Sequence, residues 1–217
     1  SSVSKPWKNQ KIVPGKVKGI WYDTILADPK TFNQLIAERD GSSAAILDNV
    51  LDCLVDYDME NKKWFSRLAD FEIETDEKND TLTVHYTIKE GIVWSYYNSD
   101  KKIPVTSDDF VFWYNEIAGD SRFNSSGFSG QWISMSDGSE KRVECVKIDE
   151  RRFDFIFPRI IAEPLLSTNM NLCPSFLYKK AKEEGGVEGV KNLFPANCDV
   201  KQIPSCGKWF ITEYIPS

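Results

Sequence analysis

The stretch "TLTVHYTI" (81–88) alternates without a break between large apolar residues, Leu82, Val84, Tyr86 and Ile88, and polar ones, Thr81, Thr83, His85 and Thr87. Successive strand side chains point to opposite faces, so this period of two requires a strand with one face in a core and the other in water. A parallel strand is covered on both faces and reads as a continuous apolar run; strict alternation points to an antiparallel sheet. Phe71 and Ile73 begin the preceding strand and "DEKND" (76–80) turns the chain, which completes a hairpin. "KRVECVKID" (141–149) and "RRFDFIF" (151–157) predict a second hairpin. "KGIWYDTI" (18–25) reads as a buried strand and "GKWFITEYI" (207–215) as a final one.

Helices fill other stretches. Leu47, Val50, Leu51 and Leu54 fall on one apolar stripe, with Ser42 or Ser43 as its cap. "PSFLYKKAKEEGG" (174–186) predicts a helix ending in Gly, and "ADPKTFNQL" (27–35) a loop interrupted by Pro. In "IPVTSDDFVFWYNEI" (103–117), the adjacent Asp108 and Asp109 invite three readings: a catalytic pair, a metal clip or the opening of a helix. Thr106 and Asp109 have capping-box spacing, Val105 and Phe110 can staple across the cap, and Phe110, Trp113, Tyr114 and Ile117 form a stripe. Neighbouring helical side chains point about 100° apart and cannot converge on one atom. The carboxylates therefore read as helix-opening groups, each contributing about 0.3–1 kcal/mol through the helix dipole. The expected fold class is mixed α/β (α+β), and 217 residues allow one large domain or two small ones.

Composition narrows the function. A net charge of −6 argues against general nucleic-acid binding, although five Lys and no acid fall in residues 1–22. That polar, Ser-, Lys- and Pro-rich start reads as a solvated linker over 1–18. No apolar run reaches the roughly 20 residues of a membrane span. The five cysteines lack CxxC spacing, which disfavours zinc; Cys53 and Cys145 read as buried thiols, and pairing among Cys173, Cys198 and Cys206 stays open. The one histidine, His85, sits on a polar strand face as a solvated or hydrogen-bonded imidazole. "GFSGQ" (127–131) lacks the second Gly of a nucleophile elbow, and "GGVEG" (185–189) has no strand before it and no Lys-Ser/Thr after it. No catalytic residue, metal set or cofactor site is expected, and the chain reads as a non-enzyme.

Six segments in order, "ADPKTFNQL", "AAILDNVLDCLVDYD", "TLTVHYTIKEGIVW", "IPVTSDDFVFWYNEI", "VECVKIDERRFDFIF" and "CGKWFITEYIPS", together resemble the family 5 extracellular solute-binding proteins. These are the oligopeptide, dipeptide and nickel receptors of ABC importers. Asp28, Pro29 and Asn33 match the family's aspartate-proline-x-x-x-asparagine. Thr87, Ile88, Lys89, Gly91, Val93 and Trp94 match its next strand motif, and Pro104, Val105, Thr106, Asp108, Asp109 and Phe110 match the proline-valine-threonine turn. "SYYNSDKKIP" (95–104) departs by lacking the usual Asp-Gly before the proline, and "SCGKWFITEY" (205–214) keeps one Gly.

The resemblance implies the N-terminal part of a two-lobed periplasmic-binding-protein-like fold. Residues 19–48 and 172–217 would belong to an incomplete first lobe. Residues 49–171 would form an inserted subdomain of antiparallel hairpins and helices, with the second lobe absent. It further implies an extracytoplasmic receptor, periplasmic or extracellular, that captures peptides or another small solute between two lobes and hands them to the transmembrane subunits of an ABC permease. The N-terminus would suit a lipid anchor. The corresponding contact segment is "ERDGS" (38–42): Arg39 to meet a ligand carboxylate, and Asp40, Gly41 and Ser42 to offer backbone donors and acceptors. Phe128 in "FNSSGFSGQW" (123–132) would line the cleft mouth. An envelope lipoprotein with a structural or interaction role and no solute binding is the alternative.

Overall fold

A computed structural model describes residues 19–217; the linker expected over 1–18 lies outside the described residues. Two short helices come first, α1 (Gln34–Ala37) and α2 (Gly41–Val50). Three antiparallel strand pairs follow: β1 (Val55–Asp58) with β2 (Lys63–Ser66), β3 (Ala69–Asp76) with β4 (Thr81–Ile88), and β5 (Val93–Ser95) with β6 (Lys102–Pro104). Helix α3 (Asp108–Phe112) runs directly into a π-helical segment, Trp113–Ala118. Strands β7 (Trp132–Ser134) and β8 (Glu140–Arg142) pair next, then β9 (Glu144–Lys147) and β10 (Arg152–Phe157). Helices α4 (Pro164–Thr168) and α5 (Ser175–Lys191) complete the set.

The two hairpins read from the sequence are fused into one antiparallel sheet of order β3-β4-β10-β9. Phe153, Phe155 and Phe157 of β10 stand opposite Tyr86, Val84 and Leu82 of β4, and all six are buried. The alternating strand thus buries the face it should, and its threonines and His85 take the other. Phe110 stacks on Phe153 with ring centroids 5.2 Å apart, which lays α3 across the sheet. On its far side Trp113 meets Tyr178 of α5 edge-on at 5.3 Å. The aromatic stripe is therefore clamped from both sides.

The switch to π-helix shifts the backbone ladder by one residue, so carbonyls need partners from outside. Tyr114 O receives Gln131 Nε2 at 2.7 Å and Arg142 Nη2 at 3.3 Å. Gly119 closes the segment where a Cβ would sit 2.5 Å from Arg142 Nη2 and 2.7 Å from Tyr114 O. Only a residue without a side chain lets the guanidinium approach this closely.

Asp109 is far more than a helix opener. It is 2% exposed and its two oxygens accept four bonds. Oδ2 takes Trp94 Nε1 at 2.9 Å and Thr106 N at 3.0 Å; Oδ1 takes Ser175 N at 3.0 Å and Ser175 Oγ at 2.6 Å. The Thr106 bond is the expected capping-box arm; no side chain caps the other end of the box. The remaining three tie β5 and the start of α5 to α3. Burial raises the Asp109 pKa, and the donors from Ser175, Trp94 and Thr106 oppose that rise. Asp108 stays at the surface, paired with Lys147 at 3.1 Å and Lys179 at 3.6 Å.

On the outer sheet face His85 lies between two carboxylates, Nδ1 2.8 Å from Asp154 Oδ1 and Nε2 3.0 Å from Glu74 Oε2. Only the imidazolium can donate to both. The bond to Glu74 raises the His85 pKa above its ordinary 6.5 most; burial opposes it, and the bond to Asp154 and the two carboxylate charges add to the rise. Glu72, opposite His85 in register, adds negative charge to this face, and Arg152 on β10 adds positive charge. A folded-state pKa above the unfolded one means the stabilisation is complete below about pH 6.5 and is lost as pH rises through the folded value. The melting temperature of His85→Gln is expected to fall below that of the parent at pH 5.5 and to approach it at pH 8.5. A difference independent of pH would remove the ion pair as its source.

Several sequence readings need correction. Residues 19–26 form no strand: Ile20, Trp21, Tyr22 and Leu26 are all more than three-quarters exposed. Residues 207–215 form none either, and Trp209 and Ile215 stand in solvent. Both stretches have strand composition, but among the described residues neither meets a neighbouring strand to complete a ladder. The stretch 27–35 is not wholly loop, because α1 begins within it. Asp40, not Ser42 or Ser43, caps α2 by accepting Ser43 N at 3.0 Å. Helix α5 breaks at its glycines, as expected, but a second helical portion follows. Gly186 breaks it at φ 61°, and the second portion folds back so closely that a Cβ on Gly189 would lie 2.2 Å from Ala181 O. All five cysteines are free, and Cys53 is half-buried rather than buried. Burial pushes the Cys206 thiol up to about 12 and Cys173 well above its usual range.

Candidate ligand-binding site

The candidate segment 38–42 is held by its neighbours on both sides. Asn33 is fully buried; its Oδ1 accepts Leu35 N and Ile36 N, which starts α1. Its Nδ2 donates to Val190 O at 2.6 Å and Leu193 O at 2.8 Å at the end of α5. Pro29 is buried, and Asp28 accepts the Ser217 amide and hydroxyl. The three residues of the aspartate-proline-x-x-x-asparagine pattern thus anchor the path into α1. Downstream, Ser43 Oγ accepts Lys30 N at 3.1 Å and Thr31 N at 3.2 Å while donating to the capping carboxylate of Asp40. These bonds fix a rigid elbow between two short helices.

At the outside of the elbow the two candidate segments meet. Arg39 is exposed and donates from Nη2 to Asn124 O at 2.7 Å. The Glu38 carboxylate accepts Ser125 Oγ at 2.8 Å, Ser126 N at 2.7 Å and Ser126 Oγ at 3.0 Å. Asn124 adopts φ 52°, which turns its carbonyl and the following amides toward the elbow. Glu38 and Arg39 therefore clasp the turn 124–126. Asp40 is half-buried and committed to the helix cap; Gly41 is exposed with open space around it; Ser42 is half-buried. Phe128 is half-buried and leans on Trp132, with centroids 6.5 Å apart, rather than joining the clasp directly.

Chemically the elbow offers one solvent-facing guanidinium with most of its donors unspent, the exposed Gly41 at the start of α2, and a serine-rich turn. It is suited to holding an extended polar chain or a carboxylate. The sequence reading names the segments 38–42 and 123–132 as contact segments, but not the clasp of Glu38 on Ser125 and Ser126 or of Arg39 on Asn124. The run of small polar residues in "FNSSG" is the only signal that could have marked them. Among the described residues no group of three His, Cys, Asp or Glu side chains could hold a metal ion, and no helix is long and apolar enough to cross a membrane.

By sequence, no family model and no curated protein matches this chain. Solved structures are similar in fold. A dipeptide-binding protein from Pseudoalteromonas sp. SM9913, in complex with Met-Leu, matches 87% of this chain with a TM-score of 0.56 and 17% identity. An oligopeptide-binding protein from Thermus thermophilus, complexed with a pentapeptide, matches 88% with a TM-score of 0.59 and 14% identity. The pheromone receptor PrgZ matches 86% with a TM-score of 0.54 and 19% identity. The chain spans 36%, 34% and 35% of these three proteins respectively. Its fold is thus mixed α/β with antiparallel sheets, shared with about a third of the length of proteins described as peptide-binding.

Proposed function

We propose that these residues form part of an extracytoplasmic solute-binding receptor of an ABC importer, which captures peptides between two lobes for delivery to a permease. The observation that carries this reading is the likeness, over most of the chain, to two solved proteins each bound to a peptide. In this reading 19–48 and 172–217 belong to one lobe and 49–171 to a subdomain inserted in it. The elbow at 38–42 forms one wall of the cleft, with Arg39 toward a ligand carboxylate and the Asp40–Gly41–Ser42 backbone along an extended peptide. Phe128, beside Trp132, borders the mouth.

Arg39→Ala, in a protein that also carries the second lobe, is expected to weaken a peptide with a free C-terminal carboxylate by about 1.5–3 kcal/mol. Because Arg39 also holds Asn124, the same titration is made with the C-terminally amidated peptide. If Arg39 meets the ligand, the amidated peptide loses nothing further on substitution. Equal losses for both peptides would make Arg39 a loop brace only, and unchanged affinity would remove it from the site. In this reading these residues supply one wall of the cleft, so the 217 residues by themselves are expected to bind peptides more weakly than about 1 mM. Micromolar binding by the chain alone would overturn the two-lobe mechanism.

A second reading, an envelope interaction module without solute binding, draws its support from the exposed apolar residues Trp21, Tyr22, Leu26, Trp209 and Ile215.

A further inference from the structure

Arg39 stands between two carboxylates in the chain, Glu38 and Asp40, yet belongs to no ion pair among the described residues. Each neighbour is committed elsewhere. Asp40 caps α2 through Ser43 N at 3.0 Å and the Ser43 hydroxyl, takes Lys30 N at 3.4 Å and has Lys30 Nζ 3.9 Å away. Glu38 is spent on the turn 124–126. Ser125 Oγ lies 2.8 Å from Oε1 and 3.1 Å from Oε2, and Oε2 also accepts Ser126 N at 2.7 Å and Ser126 Oγ at 3.0 Å. Ser125 is buried, and its Oγ accepts Gly127 N at 3.1 Å, so its own proton is directed to Glu38.

Glu38 is the nearer competitor for Arg39. Both side chains end on the same turn, Arg39 Nη2 on Asn124 O and Glu38 on the two residues that follow. A guanidinium bonds a carboxylate more strongly than it bonds a neutral carbonyl, so an unoccupied Glu38 at this distance would draw Arg39 to itself. The serines prevent this by filling the carboxylate with neutral donors. Asn124 O meanwhile takes one of the five donors of Arg39, which fixes its direction without neutralising it. The guanidinium is left oriented, charged and without a counterion at the outside of the elbow.

We propose that Ser125 and Ser126 are positioning residues that set the specificity of the elbow: by occupying Glu38 they keep Arg39 free for a ligand carboxylate. They act through Glu38 on Arg39 and need not touch the ligand. This role rests on the reading of Arg39 as the contact for a ligand carboxylate. The pairing of the guanidinium does not, and it can be measured with no ligand present.

In the 217-residue chain, phenylglyoxal labelling with peptide mapping reads Arg39 directly, because the reagent needs the neutral guanidine and an adjacent carboxylate disfavours that form. Labelling of Arg39 is expected to slow severalfold when Ser125→Ala and Ser126→Ala are combined, and to recover when Glu38→Gln is added to them. Ser126→Ala alone, at an exposed position, carries the test with a smaller slowing if the double variant fails to fold. In a protein that also carries the second lobe, the double variant is expected to lose about tenfold in affinity for a peptide with a free C-terminal carboxylate and little for its amidated form. Adding Glu38→Gln restores the preference. Serines that only brace the turn would weaken both peptides alike, with no rescue by removal of the charge. Arg39 labelling that is unchanged or faster without the serines overturns the proposal, as does a loss that Glu38→Gln fails to reverse. Labelling as expected, with no preference for the carboxylate peptide in the parent, sustains the hold of the serines on Arg39 and overturns its role as the ligand contact.

Discussion

Asp109→Ala is expected to destabilise the protein by about 3–5 kcal/mol, the loss typical of breaking a buried, hydrogen-bonded charge site. The reason lies in what the substitution leaves behind. Trp94 Nε1, Thr106 N and Ser175 N all point at the vacated position, and Trp94 and Ser175 are themselves buried. Each donor stranded away from water costs about 1–3 kcal/mol. Asp109→Asn is no remedy, because an amide supplies one acceptor oxygen where the site uses two, and its NH2 then faces donors. Asp108→Asn, at the surface, is expected to cost at most about 1 kcal/mol. Urea denaturation of the three variants measures the contrast. A loss of less than about 1 kcal/mol for Asp109→Ala would return this carboxylate to the role of an ordinary helix cap.

Trp113→Ala is expected to cost about 3–5 kcal/mol. The indole is 4% exposed and closes against Tyr178, while Phe110, one turn earlier, closes against Phe153. Removing it detaches the π-helical segment from α5. Against a typical domain stability of about 5–15 kcal/mol, either loss leaves little reserve. A neutral Trp113→Ala in the same denaturation series would mean that the segment packs differently from the geometry described.

Legibility in the sequence followed the distance over which each determinant acts. The alternation of 81–88 names its own buried face, because strand side chains alternate whatever lies opposite. Phe110, Trp113, Tyr114 and Ile117 named the helical stripe, and all four are buried. The elbow was legible only in part. The resemblance, not local pattern, marked "ERDGS" as the contact segment and Arg39 as its cation. Its partner, the turn 124–126, lies more than eighty residues away, and no local pattern joins Glu38 to Ser125 and Ser126.

Local rules misjudged Asp109 for the same reason. A carboxylate in the first turn of a helix is worth a few tenths of a kilocalorie when water surrounds it. Here β5 and α5 exclude the water, and the same group becomes the shared acceptor of three elements.

By itself, then, the sequence determined which residues face a core, where chain direction changes, and that the sheet is antiparallel, since these depend on the side-chain period and turn chemistry of short segments. Only the tertiary structure decided that β10 inserts between β4 and β9, and that among the described residues 19–25 and 207–215 form no strand. A strand's composition cannot state whether a neighbour exists to receive its hydrogen bonds. Only the folded chain, likewise, brings Arg39 to Asn124, because the two segments meet in space and not along the chain.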